Sequence, residues 1–383
     1  MEISKAILNK KNTHKLGIMT FSCVENIGAA LQCIALARFL LNTGYNVDVI
    51  DYRPQYLTQG YKCYYPLSAQ GEKNSLKTVI KKIVLNGRIP MLLNRKRKFK
   101  KLYKSNVRFS SKCFCINQLK SLGEYDCFIA GSDQIWNAAI SAGEMDPAFL
   151  LEFTDKRKIA YAASCGTVLP EKNLKKIIPV LKTFSAVSVR ESSLCKQLLS
   201  NGVKDVQCVA DPTFLLDRDE WRRMARKLRH PKPFILTYFL EENEKICELV
   251  QQMTNYKEID VIDVSPRRFL GKEFVAKRRA YCSPDEFLGL IQNAECILTN
   301  SFHGTVFSIL FEKPFVTILH SKYPERVNDL MALLDMKDKI LNTIDSKTKM
   351  NAYKPYSQNQ IDLIMNLRQQ SRFFLLDALE KEV

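Results

Sequence analysis

One stretch combines residue types that suit acid–base chemistry and anion binding: TNSFHGTVFS, residues 299–308. It contains one of only four histidines in a chain of 383 residues. The apolar run over 294–299 predicts a buried strand, and the run over 306–311 predicts a buried helix. His303 is therefore predicted at a strand-to-helix turn, where an imidazole can exchange protons and free backbone N–H groups can hold an anion.

Several neighbours of His303 suit such an anion site. Asparagine and serine are good N-cap residues, and a glycine lets a ligand approach the backbone closely. A capped turn with a surface imidazole explains the same residues equally well. The residues that the anion site would use are Asn300, Ser301, Gly304 and Thr305.

Polar residues also follow other predicted strands. They are Asn26 and Gly28 in one loop, Gly131, Ser132, Asp133 and Asn137 in a second, Ser164 in a third, and Arg190 and Asp211 after two more. The Asx residues among them commonly hydrogen-bond their own backbone in turns. A guanidinium at a strand end, such as that of Arg190, can grip a carboxylate or phosphate with two hydrogen bonds. The alternative for Arg190 is a salt bridge to Glu191 or to another loop carboxylate.

Hydrophobic periodicity predicts two α/β halves. In the first, strands are predicted at 15–21, 47–50, 126–130, 158–163 and 185–189, with helices at 29–43, 171–183 and 191–201. In the second, strands are predicted at 234–239, 259–264 and 296–299, with helices at 243–253, 283–294, 326–334 and 360–379. Because ligands bind beyond the carboxyl ends of parallel strands, the two doubly wound halves predict a cleft between them.

We expect three regions along the chain. Residues 1–225 are predicted to form an N-terminal Rossmann-like domain and residues 226–350 a C-terminal one. Residues 351–383 are predicted to form a C-terminal helix that can pack back on the N-terminal domain. A length of 383 residues suits two domains of roughly 150 to 200 residues each.

The net charge of +18 is concentrated in one segment. Residues 73–123 contain fifteen Lys or Arg and no Asp or Glu. A solvated helix, with Phe99, Leu102, Leu92 and Leu93 among its inward residues, explains this composition. An anionic membrane surface and nucleic acid are the functional alternatives, and the membrane is favoured because aromatic platforms for bases are sparse.

Other features argue against several protein classes. Hydrophobic and charged contents of 46% and 26% are typical of a globular protein. No run reaches the roughly 18 apolar residues of a membrane span, and the N-terminal residues lack a signal-like apolar core. The twelve cysteines show no CxxC spacing. We therefore expect a cytoplasmic protein, peripheral to the membrane at most, with no metal site.

Taken together, the loop motifs resemble the polysaccharide pyruvyl transferase family over roughly residues 15–335. The motifs are NIGAALQ at 26–32, IAGSDQIWN at 129–137, YAASCG at 161–166, VSVRE at 187–191, ADPT at 210–213 and TNSFHG at 299–304. The resemblance implies two Rossmann-like domains facing a cleft, as in GT-B glycosyltransferases. It also implies transfer of a pyruvyl group from phosphoenolpyruvate, as a donor substrate and with no cofactor, to a sugar of a surface polysaccharide or its lipid-linked precursor.

The resemblance also implies roles for particular residues. His303 matches the family's proposed general acid, Arg190 a donor-binding arginine, and Asp133 is the weaker candidate for accepting a proton from a sugar hydroxyl. The family tends to have an arginine where this chain has Ser301, so the phosphate would fall to the turn at 301–305, Lys322 or Arg326. The alternatives are a GT-B nucleotide-sugar glycosyltransferase and a non-catalytic protein that binds anionic glycan or nucleic acid.

Overall fold

The N-terminal half contains a parallel sheet of six strands covered by helices. Its strands are β1 (Lys15–Met19), β2 (Asn46–Val49), β3 (Cys127–Ala130), β4 (Arg157–Ala163), β5 (Ala186–Val189) and β6 (Gln207–Cys208). They are ordered β2-β1-β3-β4-β5-β6, and neighbouring strands are parallel. The helices are α1 (Ile27–Asn42), α2 (Gln55–Thr58), α3 (Ile89–Asn106), α4 (Ile116–Leu119), α5 (Glu171–Leu181), α6 (Ser192–Ser200) and α7 (Arg218–Met224). The computed structural model describes residues 14–61, 87–141, 143–254, 259–271, 274 and 276–381.

The C-terminal half repeats this arrangement with a second parallel sheet. Its strands are β7 (Phe234–Tyr238), β8 (Asp260–Asp263), β9 (Ala276–Arg278), β10 (Cys296–Thr299) and β11 (Phe315–Thr317), ordered β11-β10-β7-β8-β9. Its helices are α8 (Lys245–Thr254), α9 (Pro284–Asn293), α10 (Phe302–Leu310), α11 (Glu325–Leu333) and α12 (Ser346–Tyr353), and α13 (Gln358–Glu380) ends the described chain. The prediction of two Rossmann-like domains is confirmed. The short strands β9 and β11 and the helix α12 were not predicted.

Helices α7 and α13 make two of the contacts that connect the halves away from the strand ends. In α7, the Trp221 ring packs edge-on against Phe307 of α10, with ring centroids 4.9 Å apart, while its Nε1 donates to the Thr213 carbonyl. Helix α13 returns to the N-terminal half, where Arg368 and Arg372 donate to the carbonyls of Phe214 and Leu215. The chain therefore crosses between the two halves twice.

Helix α3 carries much of the basic segment. Phe99 is buried in the core, as predicted, but Leu93 is 41% exposed, so the prediction that it faces inward is wrong. At about 100° per residue, Leu93 lies roughly 120° around α3 from the buried Phe99, whereas Leu92 lies on nearly the same side as Phe99. Residues 73–86 of the predicted segment lie outside the described residues. None of the described helices is long and apolar enough to cross a membrane.

Adjacent phenylalanines in α13 provide a test of its packing. Phe374 is 5% exposed and lies 6.4 Å from the Tyr161 ring, whereas Phe373 is 72% exposed. We expect Phe374→Ala to lower the free energy of unfolding by about 3–5 kcal/mol, because it removes a buried aromatic ring. The matched control, Phe373→Ala, should change it by no more than about 0.5 kcal/mol. Equal losses in denaturant unfolding would show that α13 does not contribute to the core in this way.

Candidate active site

A buried carboxylate, that of Asp211, lies at the centre of the polar cluster between the halves. It follows β6 and is only 2% exposed. Its Oδ2 accepts hydrogen bonds from Arg190 Nη1 at 2.7 Å and Ser132 Oγ at 3.3 Å. Its Oδ1 accepts from the Thr213 backbone N–H at 3.0 Å and from the Thr213 hydroxyl at 2.8 Å. Both oxygens are thus satisfied without water.

Arg190 emerges directly from β5 and is held on several sides. Besides Asp211, its Nη2 donates to Ser164 Oγ at 3.1 Å, and its guanidinium carbon lies 4.4 Å from the centre of the Phe302 ring. Glu191, whose carboxylate accepts from Ser164, lies 3.9 Å from Arg190 Nε. Burial raises the pKa of the Glu191 carboxyl, and the neighbouring Arg190 only partly offsets this. The salt-bridge alternative for Arg190 therefore describes its principal contact.

His303 lies in the first turn of α10 and points toward Asp211. Its Nε2 is 3.6 Å from Asp211 Oδ2, an ion-pair distance that exceeds a hydrogen bond, and it has no hydrogen-bond partner among the described residues. Burial alone would raise the pKa of the Asp211 carboxyl, but nearby His303 and Arg190 lower it well below its ordinary range. Asp211 is therefore charged at neutral pH, and its carboxylate faces the His303 ring.

Gly28 makes room for the His303 ring. It is the second residue of α1, and a Cβ atom there would lie 2.0 Å from His303 Nδ1. The preceding Asn26 caps α1 by accepting the Ala29 N–H at 3.1 Å. The N-termini of α1 and α10, one from each half, thus meet at this histidine.

Arg326 of α11 is the second guanidinium at the Phe302 ring. Its guanidinium carbon lies 5.6 Å from the centre of that ring and 5.5 Å from the Tyr323 ring. With the Gln134 amide oxygen turned toward it, both terminal nitrogens donate to Gln134 at 3.0 and 3.1 Å. No carboxylate of the described residues lies within ion-pair distance of Arg326, and the Nε atom of Arg326 has no hydrogen-bond partner among them. Burial and repulsion from Arg190 lower the pKa of Arg326 to about 10.

Asp133 borders both guanidinium groups. It has a left-handed backbone, with φ of 75°, which aspartate tolerates better than most residues, and its Oδ1 accepts from the Gln134 N–H at 2.9 Å. Its charge raises the pKa values of Arg190 and Arg326, although burial acts more strongly on both. Asp133 is therefore both a turn residue and a charged neighbour of the cluster.

Other candidate residues are used in structural contacts. Asn300 accepts from the Leu240 N–H and donates to the Glu241 carbonyl, so it holds a neighbouring loop instead of facing the cluster. Ser301 caps α10 by accepting the Gly304 N–H at 3.3 Å, and Thr305 bonds Thr317 at 2.8 Å.

Gly304, Gly131 and Lys322 also belong to the predicted site. A Cβ atom at Gly304 would lie 2.3 Å from Thr299 Oγ1, so this glycine permits helix–strand packing and not ligand approach. Gly131 packs on Thr20 and Leu36, and Lys322 is exposed.

Four residues of the cluster were not predicted in the positions that they occupy. Asp211 and Glu191 were noted only as a turn residue and a salt-bridge alternative, and Phe302 and Tyr323 were not considered. The pattern Arg190-Glu191 followed by Asp211, each after a predicted strand, could have indicated a charge cluster at the sheet edge. Among the described residues, no group of three His, Cys, Asp or Glu side chains could hold a metal ion.

Several solved structures resemble the chain in fold. The UDP-GlcNAc 2-epimerase from Methanocaldococcus jannaschii shares 12% identity at a TM-score of 0.49, with 94% of this chain and 99% of that chain covered. The UDP-GlcNAc 2-epimerase from Neisseria meningitidis bound to UDP-GlcNAc shares 12% identity at a TM-score of 0.45, with 96% of this chain and 100% of that chain covered. The Streptomyces sp. SF2575 glycosyltransferase SsfS6, complexed with thymidine diphosphate, shares 11% identity at a TM-score of 0.39, with 94% of this chain and 99% of that chain covered.

The sequence itself matches one family and no curated protein. The family is described as "Polysaccharide pyruvyl transferase", and its match covers residues 26–322. This range begins at the α1 cap and ends just before α11, so it includes Arg190, Asp211 and His303 but not Arg326. Because the match spans most of the chain, this protein belongs to the polysaccharide pyruvyl transferase family.

Proposed function

We propose that this transferase moves a pyruvyl group from phosphoenolpyruvate to two hydroxyls of a sugar and forms a ketal. The observation that carries the proposal is Arg326, a buried guanidinium for which no described carboxylate provides an ion pair. An unpaired buried cation is costly, and a bound anion would relieve that cost. Family membership supports the transfer reaction, whereas the donor and the acceptor are inferred from chemistry.

Phosphoenolpyruvate presents a carboxylate and a phosphate, so it requires at least two cationic or N–H contacts. Arg190 already donates to Asp211 and Ser164, so its positive charge is largely neutralised. Arg326 donates to the neutral Gln134 side chain, has no described carboxylate as an ion-pair partner, and lies at the same aromatic ring. We infer that Arg326 makes the principal contact with the donor, in place of the arginine expected at position 301. Arg190 then fixes the electrostatics of the site and is a weaker candidate for direct contact.

The reaction balances with one acid and one acceptor of protons. His303 donates a proton to the methylene carbon of phosphoenolpyruvate, which leaves an oxocarbenium-like carbon at C2. One sugar hydroxyl attacks C2 and loses its proton, phosphate leaves, and a second hydroxyl attacks and loses its own proton. One of these protons restores His303 and the other is taken up by the departing phosphate. Asp211 beside Nε2 stabilises the imidazolium, and Asp133 is the candidate for accepting a hydroxyl proton.

The proposal is tested by following phosphate release from phosphoenolpyruvate with a panel of sugar acceptors and identifying the product by mass. In parallel, thermal unfolding is measured with phosphoenolpyruvate and with UDP-GlcNAc. We expect phosphoenolpyruvate alone to raise Tm, because only a ligand of the native state stabilises it. Stabilisation by the nucleotide sugar alone, with no phosphate released, would instead favour a glycosyltransferase. Binding of neither would leave the non-catalytic alternative.

Replacing His303 tests its role as the acid. We expect His303→Ala to lower kcat by about 10²- to 10⁴-fold with little change in donor Kd, because a proton donor acts mainly in the transition state. His230→Ala, a change at the remote histidine beside Asp260, serves as the control and should leave both values unchanged. A selective rise in donor Kd for His303→Ala would make this histidine a binding group.

Replacing Arg326 tests the donor contact. We expect Arg326→Gln to weaken phosphoenolpyruvate binding by roughly 30-fold or more, since losing one partner of a buried charge pair costs about 2–5 kcal/mol. Arg326→Lys should recover only part of this loss, because an ammonium cannot make the planar two-pronged contact. The exposed Lys196→Gln is the control, and calorimetric titration gives the affinities. Unchanged affinity in Arg326→Gln would remove Arg326 from the donor site.

We further propose that the acceptor is presented at an anionic membrane surface and that α3 faces it. The exposed residues of α3 include Arg97, Lys100, Lys101 and Lys104, together with Met91 at 51% exposure and Leu93. Each Lys or Arg near an anionic leaflet contributes on the order of 1 kcal/mol, which is enough for reversible association.

Sedimentation with vesicles tests this surface. Wild type should sediment with phosphatidylglycerol vesicles at low salt. It should not sediment with them at high salt, where charges are screened, and it should not sediment with vesicles of phosphatidylcholine alone. A variant with Arg97, Lys100 and Lys104 changed to Gln should sediment less. Changing three exposed lysines elsewhere, Lys175, Lys196 and Lys204, should have a smaller effect. Wild type that ignores anionic vesicles at low salt would show that α3 is only a solvated face.

A further inference from the structure

A second cationic site lies apart from the candidate active site, between α1, α3 and the segment after α7. It is a cavity of about 390 Å³. We call it the basic pocket, and its charged lining residues are Arg38, Lys98, Lys101, Arg223, Arg226 and Asp285. None of these residues contacts Asp211, His303 or Arg326. Five cations thus line the pocket against one carboxylate.

Three of the five cations are held by contacts within the protein. Arg38 Nη1 donates to the neutral Asn106 side chain at 2.7 Å, so that contact leaves its charge uncompensated. Arg226 Nη2 pairs with Asp285 at 2.8 Å, and Lys98 pairs with Glu286 at 3.4 Å. Glu286 also accepts from Arg279 at 2.7 Å, so this carboxylate is shared. The pocket remains strongly positive after these pairs are taken into account.

The remaining two cations, Lys101 and Arg223, form no ion pair in the described part of the chain. They come from different elements, α3 and α7, and line the same cavity. Like charges brought together repel each other, and a bound anion converts that repulsion into attraction.

We propose that the basic pocket binds a phosphate-bearing anion through Lys101 and Arg223. Phosphate suits the site because lysine binds it as a point charge and arginine can donate two parallel hydrogen bonds to it. The volume lies within the range of small-ligand sites. The same chemistry is offered by a lipid headgroup at the membrane and by a soluble phosphate ester. This inference goes beyond the proposed pyruvyl transfer and does not depend on it.

Calorimetric titration with inorganic pyrophosphate tests the pocket. The test variant changes Lys101 and Arg223 to Gln. The matched variant changes Lys196 and Lys204 to Gln, which removes the same charge from exposed positions that lie neither in the pocket nor on α3. We expect the test variant to lose about tenfold or more in affinity, ~1.4 kcal/mol, and the matched variant to lose much less. Both variants keep the candidate active site, so pyrophosphate bound there contributes equally.

Equal losses in the two variants, or no pyrophosphate binding by wild type, would overturn the proposal. Sedimentation with phosphatidylglycerol and with phosphatidylcholine vesicles then identifies the source of the anion. A lipid headgroup is the source if the test variant sediments less than the matched variant and pyrophosphate releases wild type from the anionic vesicles. A soluble phosphate ester is the source if only pyrophosphate binding differs. Turnover at saturating phosphoenolpyruvate is measured separately, so failure of the proposed function is recognised on its own.

Discussion

The carboxylate of Asp211 is charged although it is buried away from water. The polar side chains around it are placed so that they neutralise and hydrogen-bond that charge. An isolated buried charge is strongly unfavourable, so each of its oxygens has to be paired. Its partners come from the loops after β3 and β5 and from its own turn, through Ser132, Arg190 and Thr213. Removing one partner from a buried ion pair typically costs about 3–5 kcal/mol. These strand ends are therefore held in one relative position by a single carboxylate.

The two guanidinium groups at the Phe302 ring have opposite electrostatic situations. Arg190 is neutralised by Asp211, and its pKa is raised despite burial. Arg326 has no described carboxylate as a partner, and its pKa is lowered to about 10. An anion entering the cleft would gain more from the uncompensated charge, because Asp211 offsets the field of Arg190. The Arg190–Asp211 pair is therefore electrostatically balanced without a ligand, and Arg326 and His303 are the groups left to interact with one.

Periodicity and turn chemistry allowed much of the fold to be predicted. Strand β10 was predicted at 296–299 and lies there, and predicted helix bounds differ from the observed ones by a few residues. The cluster was harder to predict, because Arg190 and Asp211 are 21 residues apart in sequence and an aspartate in a loop is usually a turn residue. Gly304 shows the same limit. The sequence shows a glycine at position 304, but not that Thr299 is the neighbour that leaves no space for a side chain there.

Helix α3 joins the basic pocket to the turn that supports His303 through contiguous contacts. Arg95 donates to the Glu25 carbonyl at 2.9 Å, one residue before the α1 cap at Asn26, and the nearby Lys98 pairs with Glu286 of the other half. Gly28 packs directly against the imidazole, with no space for a side chain between them. A displacement of the α1 N-terminus would therefore move His303 or open a gap beside it. Helix α3 thus contacts the same α1 N-terminus that accommodates the imidazole, although none of its basic residues is in contact with the ring.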